Sequence, residues 1–309
     1  MCCLFGMLDY GGNFTGRQRT ALLSILAAEC EARGTDASGI AYNSGGSLHV
    51  YKRPMPAHKL RFRIPNDAPG IMGHTRMTTQ GSEKKNYNNH PFLGQAGGQR
   101  FALAHNGVLH NDRMLRRSLK LPQTKIQTDS YVAVQLIEKK KALDLASLKY
   151  MAEQVEGSFT FTVLDEGNTW YLVKGDNPMC LCRYPRSGLY LYASTEEILG
   201  NALAKMRLRL EKPKRVEVSC GDILQIDPGG AVTQSRFDTA NFWWSDSLLF
   251  CCPYVSHAYR PQNDFEREYL DEVKSVATSF GYSPESIDRI LEQGFTLDDV
   301  EELLYCGQL

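Results

Sequence analysis

Between positions 17 and 33, apolar residues recur at three- and four-residue spacing (Ala21, Leu22, Ile25, Leu26 and Cys30) until Gly34 interrupts the pattern. That is the period of an amphipathic helix closed by a glycine. A second helix is predicted over 129–141, with Val132, Leu136 and Ile137 on one face and a lysine-rich end where the helix dipole favours positive charge. Later segments follow a different rule. Positions 158–164 alternate, 169–174 and 188–194 are rich in aromatic and β-forming residues, and 221–227 runs into the turn Pro228-Gly229-Gly230. Each predicts a strand. Ser44-Gly45-Gly46 is a hairpin signal. Strands interspersed with two long helices predict an α+β domain.

The pattern changes after 236. Positions 237–264, with Pro253 and Pro261, read as a connector, and Phe242-Trp243-Trp244 as a buried anchor for the chain leaving the domain. Positions 265–280 are helical in pattern. Ser283-Pro284 then supplies an N-cap and a first-turn proline, with Ile287, Ile290 and Leu291 on one face before Gly294. Thr296 caps a last short helix through Val300, Leu303 and Leu304. The small helical bundle over 265–309 is similar to a ubiquitin-associated module, and a plain helical cap is the alternative.

Candidate chemistry begins at the second residue. Removing Met1 would leave Cys2 with a free α-amine beside its own thiol. Such an amine has a pKa of about 7.7–8.0, so it can take the thiol proton and leave the attacking thiolate. Acyl transfer also needs donors for the oxyanion, and His105-Asn106-Gly107 offers a side-chain amide and an unobstructed glycine N–H. Gly73-His74-Thr75-Arg76 and Asn88-Asn89-His90-Pro91 lie between these two pieces.

With Arg33-Gly34-Thr35-Asp36-Ala37-Ser38-Gly39 and Thr128-Asp129, these segments resemble, in order and spacing, the class II glutamine amidotransferases, which are N-terminal-nucleophile hydrolases. The resemblance covers residues 2–236. It implies a four-layer αββα sandwich, hydrolysis of the glutamine side-chain amide to glutamate and ammonia, and no cofactor. It implies Cys2 as nucleophile, Asn106 and Gly107 as oxyanion hole, Arg76 and Asp129 on the α-carboxylate and α-amino group, and Thr79 and Gln80 as further substrate contacts. The charges suit a zwitterion: a guanidinium fork for a carboxylate, a carboxylate for an ammonium. Three positions depart from the family, namely Cys3 where Gly is usual, Met77 where a bulky aromatic is usual, and Gln80 where His is common. Cys3 sets a second thiol beside the first, and Gln80 cannot titrate, which opens the alternative of a larger γ-glutamyl substrate. A non-catalytic protein docking through its C-terminal helices is a third reading. Arg33 and Asp36 are expected to brace the floor of the site, and His74 and His105 to orient loops through hydrogen bonds.

Charge and composition limit the partners. Lys+Arg equals Asp+Glu at 35 each, which gives no electrostatic case for nucleic acid or an anionic membrane. No apolar run is long enough to span a bilayer and no signal peptide is evident, so a cytoplasmic protein is expected. Nine cysteines without a Cys-x-x-Cys pair predict reduced thiols rather than disulfides or a metal; Cys180-x-Cys182 and Cys251-Cys252 lack ligand spacing. There is no Gly-Lys pair and no Gly-x-Gly, hence no phosphate loop. The segment beyond 236 is too small for an ammonia acceptor domain, so a separate acceptor subunit is the expected partner, with the oligomeric state open.

Overall fold

The computed structural model describes residues 2–206, 210–239 and 264–292, together with Leu297, Val300 and Leu304. It divides into two units, Met1–Ser247 and Leu248–Leu309. Two antiparallel sheets make up the first unit. Sheet A holds β1 (Cys3–Asp9), β2 (Ala37–Ser44), β3 (Ser47–Arg53), β4 (Gly70–Arg76), β9 (Cys180–Tyr184), β10 (Leu189–Ala193) and β11 (Lys214–Val216), in the order β11-β9-β10-β1-β4-β2-β3. Sheet B holds β5 (Phe92–Ala96), β6 (Gln99–Leu109), β7 (Gly157–Asp165), β8 (Trp170–Lys174), β12 (Asp222–Ile226) and β13 (Val232–Arg236), in the order β13-β12-β8-β7-β6-β5. Helices α1 (Gly16–Glu29) and α5 (Glu196–Lys205) cover sheet A; α3 (Tyr131–Lys140) and α4 (Leu145–Gln154) cover sheet B, with the short α2 (Asp112–Ser118) beside them.

Side-chain alternation along the strands builds the layers. In β1, Cys3, Phe5 and Met7 join Leu22, Leu23 and Leu26 of α1 in one core, while Leu4 and Leu8 join Ala102, Ala104, Trp170 and Tyr192 between the sheets. A third core packs Phe101 and Leu103 of β6 against Val132, Leu136 and Ile137 of α3. This is the expected αββα sandwich. Because both faces of each sheet are covered, β1, β4 and β10 are buried at every position.

The predicted elements are present with shifted edges. Helix α1 starts at Gly16 and tightens to a 3₁₀ turn over Cys30–Arg33; its buried stripe is Leu22, Leu23, Leu26 and Ala27, and Ala21 faces out. Helix α3 spans Tyr131–Lys140 and ends at Lys141 in the left-handed region. The hairpin joins β2 to β3 by pairing Ser44 with Ser47, and Gly45 and Gly46 both have positive φ, as a two-residue turn of this hand requires. The buried pair Arg19–Asp9, 2.8 Å apart, ties α1 to the end of β1, and the Asp9 carboxylate also accepts from the Asn13 and Phe14 amides.

Thr15 caps α1 in a capping box: its hydroxyl accepts from the Gln18 amide at 3.3 Å and the Gln18 side chain accepts from the Thr15 amide at 2.9 Å. Thr15→Ala is expected to cost about 1 kcal/mol. Urea unfolding should show this as a lower midpoint with an unchanged m-value.

The second unit contains α6 (Asp264–Ser279) and α7 (Pro284–Glu292), whose Leu270, Val273, Ala277, Ile287, Ile290 and Leu291 form a core with Leu297, Val300 and Leu304. Most of the connector, including Phe242-Trp243-Trp244, and the Gly294-Phe295 junction lie outside the described residues. No helix among the described residues is long and apolar enough to cross a membrane.

Candidate active site

Cys2 enters β1, the central strand of sheet A, and the alternation that sends Cys3 to the helix layer gives Cys2 to the face between the sheets. Its carbonyl accepts from Arg33 Nε at 3.0 Å and its thiol donates to the Met77 carbonyl at 3.4 Å. Burial pushes the thiol pKa up, opposed by hydrogen bonding to the Met77 backbone and by the Arg76 charge, while Asp129 adds to the rise. Cys3 points the other way, fully buried against Cys30. The two adjacent thiols therefore do not share an environment, and Cys3 is removed from competition for reagents.

On sheet B, Ala102 and Ala104 of β6 face the inter-sheet layer, so Asn106 faces it too. Asn106 is 1 % exposed and its Nδ2 has no hydrogen-bond partner. A buried amide donor without an acceptor is costly unless a ligand supplies one. Gly107 follows with φ +140°, and a Cβ there would lie 1.9 Å from the Ser158 carbonyl oxygen, so only glycine fits.

Arg76 ends β4 and is buried. Its Nη1 donates to Asn89 Oδ1 at 2.7 Å, and its Nη2 to the carbonyls of Gln80 (2.6 Å) and Gly81 (3.0 Å). Burial lowers its pKa, and the charges of Cys2, Glu83, Asp129 and Asp36 oppose that, which places the Cys2 thiol, the guanidinium and both aspartates within electrostatic reach. Asp129 is buried, with Oδ2 accepting from the Leu109 amide at 2.7 Å and Oδ1 from Ser130 Oγ at 3.3 Å. Gln80 meets Arg76 through its main chain rather than its side chain, and Thr79 is exposed on the same loop. Met77 is 52 % exposed there. Asp36 Oδ2 accepts from the Thr78 amide at 2.7 Å, so Arg33 and Asp36 brace the two ends of the Cys2–Met77 contact.

Behind these groups lie three buried histidines. His74 Nε2 donates to the His105 carbonyl at 2.9 Å and His105 Nδ1 bonds Ser130 Oγ at 2.8 Å, the orienting role expected of both. Burial lowers the pKa of His74 to about 3 and drives His90 well below the ordinary range, so both are neutral. Asn89, of the Asn88-Asn89-His90-Pro91 motif, holds Arg76, and Lys52, which donates to the Asn89 and Pro91 carbonyls, carries no sequence signal. Among the described residues no group of three or more His, Cys, Asp or Glu is placed to hold a metal ion, and the Cys180 and Cys182 thiols lie 3.9 Å apart on β9.

A deep thiol, a pair of opposite charges and a buried amide thus gather around the layer between the sheets. Residues 74–200 fit the family model described as a glutamine amidotransferase domain. That part of the chain is a glutamine amidotransferase domain. Among curated relatives, glutamine–fructose-6-phosphate aminotransferase (isomerizing) of Streptococcus pyogenes is 32% identical over 190 residues, 59% of this chain and 30% of that protein. The Listeria monocytogenes protein of the same name is 34% identical over 185 residues, 57% of this chain and 30% of its own. The match thus spans under a third of these relatives' length. Among solved structures, glutamine phosphoribosylpyrophosphate amidotransferase from B. subtilis, complexed with ADP and GMP, superposes with a TM-score of 0.62 at 18% identity, over 90% of this chain and 58% of that one. The sandwich of the amidotransferase domain is therefore an N-terminal-nucleophile hydrolase fold.

Proposed function

We propose that this chain hydrolyses the side-chain amide of glutamine with Cys2 as the N-terminal nucleophile. With Met1 removed, the α-amine of Cys2 takes the thiol proton and the thiolate attacks the amide carbon. Asn106 Nδ2 and the Gly107 N–H receive the developing oxyanion. The protonated amine then gives its proton to the departing nitrogen, ammonia leaves, and a γ-glutamyl thioester remains for water to cleave with the same amine as base. Glutamate and a free thiol are the result. Arg76 and Asp129 hold the α-carboxylate and α-ammonium; the carboxylate takes the place of the Gln80 and Gly81 carbonyls on the guanidinium.

The observation that carries this reading is the Asn106 amide of sheet B, buried, without a hydrogen-bond partner among the described residues, and facing the same inter-sheet layer as Cys2 of sheet A. An oxyanion would complete that donor. The curated relatives are named for passing the glutamine nitrogen to fructose 6-phosphate. Only the glutamine half is assigned to this chain, with the acceptor on a separate domain or subunit. A reducing, cytoplasmic setting suits the thiol, since six described cysteines are free.

Two measurements test the reading. Active protein is expected to begin at Cys2 by N-terminal mass analysis, because an amide nitrogen left by Met1 cannot serve as base; full turnover by protein retaining Met1 would end the shared nucleophile–base mechanism. Glutamine should be hydrolysed and N-acetylglutamine poorly, with the gap narrowed in Asp129→Ala, since an unpaired buried charge costs several kcal/mol, on the order of 3–5. Equal rates on both by the unaltered enzyme, with faster hydrolysis of bulkier γ-glutamyl amides, would favour the larger substrate.

A further inference from the structure

Strand β7 outruns its neighbour β8. The last register pair between them is Thr160 with Lys174, so Gly157, Ser158 and Phe159 project beyond β8. On its other edge this end of β7 pairs with the segment that carries the proposed oxyanion donors: Thr160 lies opposite Asn106, Phe159 opposite Gly107 and Ser158 opposite Val108. A strand end without a neighbour leaves main-chain groups to be satisfied elsewhere and opens at low cost.

The chain between β8 and β9 takes the neighbour's place. Asp176 Oδ1 accepts from the Phe159 amide at 2.8 Å, Asn177 Nδ2 donates to Ser158 Oγ, and the Asn177 carbonyl accepts from Thr160 Oγ1 at 2.8 Å. Three consecutive residues of β7 are thus tied to two consecutive residues of one loop. Gly175 permits the approach, since a Cβ there would run into the Phe159 carbonyl oxygen. The same loop reaches Gly107 directly: a Cβ on Gly107 would meet the Ser158 carbonyl oxygen and lie 2.8 Å from Asn177 Nδ2. Gly107 is therefore seated between the Ser158 main chain and the Asn177 amide. Thr160, fully buried, stands beside Asn106 on one face of the sheet, as directly opposed residues of an antiparallel pair do.

We infer that Asn177 is a positioning residue for the proposed oxyanion hole. With Asp176 it holds the Ser158–Thr160 end of β7 against β6, and so fixes where the Asn106 amide and the Gly107 N–H point. The inference rests on the oxyanion roles proposed for Asn106 and Gly107. Donors of this kind act through their aim, and a displacement of about 1 Å can cost about 10²-fold in rate.

Steady-state kinetics on enzyme beginning at Cys2 test it, with intact sites counted by labelling Cys2 to completion with a glutamine-mimicking electrophile. Asn177→Ala should lower kcat for glutamine about tenfold per labelled site and leave KM within about twofold. Ser158→Ala cuts the same bond from its other end and should do the same, the two together losing little more than either alone; it also carries the test should Asn177→Ala fail to fold. In an Asn106→Ala background the Asn177→Ala loss should shrink to about threefold or less, because a donor it aims is gone. A merely structural role would lower the urea midpoint and the number of labelled sites while leaving kcat per site alone. That result would overturn the inference, as would a raised KM with kcat unchanged, or full additivity with Asn106→Ala. If Asn106→Ala itself keeps kcat, the oxyanion reading falls and takes this inference with it. If Asn106→Ala loses kcat and neither Asn177→Ala nor Ser158→Ala does, this inference alone falls.

Discussion

Cys2→Ala is expected to reduce glutamine hydrolysis by at least about 10⁴-fold in kcat, because the substitution removes the only group proposed to attack the amide and leaves the oxyanion donors with nothing to stabilise. The informative partner is Cys3→Ala. Cys3 carries no α-amine and lies on the far side of the sheet against Cys30, fully buried. Its loss should cost about 1 kcal/mol of packing and leave kcat nearly untouched. A glutamine-mimicking electrophile should add one mass equivalent, and peptide mapping should place it on Cys2. An adduct on Cys3 would mean that the chain enters the site one residue out of register, and the mechanism would fall with it.

Asn106→Ala comes second, with an expected loss of about 10²–10³ in kcat, or roughly 2.7–4 kcal/mol, and little change in KM. The donor acts on charge that exists only in the transition state. Its effect on folding should be small for the same reason that its effect on catalysis is large. Nδ2 makes no hydrogen bond in the fold, so removing it breaks none, and the urea midpoint should move by less than about 1 kcal/mol. A raised KM with kcat unchanged would make Asn106 a binding residue; a collapsed midpoint would make it a structural one.

The candidate site residues stand out in the sequence because their chemistry depends on residue type at short spacing: a cysteine at the second position, an Asn-Gly pair, an arginine closing Gly-His-Thr-Arg. Their supports do not. Lys52 and the Gln80 carbonyl act through main-chain oxygens, which every residue carries and no motif advertises. A similar contrast holds for the fold. The predicted α1 and α3 each present a recognisable apolar face, whereas α2 is seven residues long and gives too few turns for a period to emerge. Strand β9 was missed because a sheet covered on both faces loses its alternation; four of its five residues are buried.

Strand β1 is hydrogen-bonded along both edges, to β10 through Phe5–Asp9 and to β4 through Cys3–Leu8. Chain ends ordinarily fray at almost no cost, and segments that open cheaply are the ones proteases and solvent reach first. Strand β1, into which Cys2 leads, is instead held in the middle of its sheet. Freeing Cys2 by more than a residue or two means parting β10 from β4, which is to say opening the domain itself. Amide exchange at Leu4 to Leu8 should therefore be among the slowest in the molecule and track global unfolding of the first unit, and heat should take activity and that unit's fold away together. The helices of Leu248–Leu309, with a core of their own, are under no such obligation.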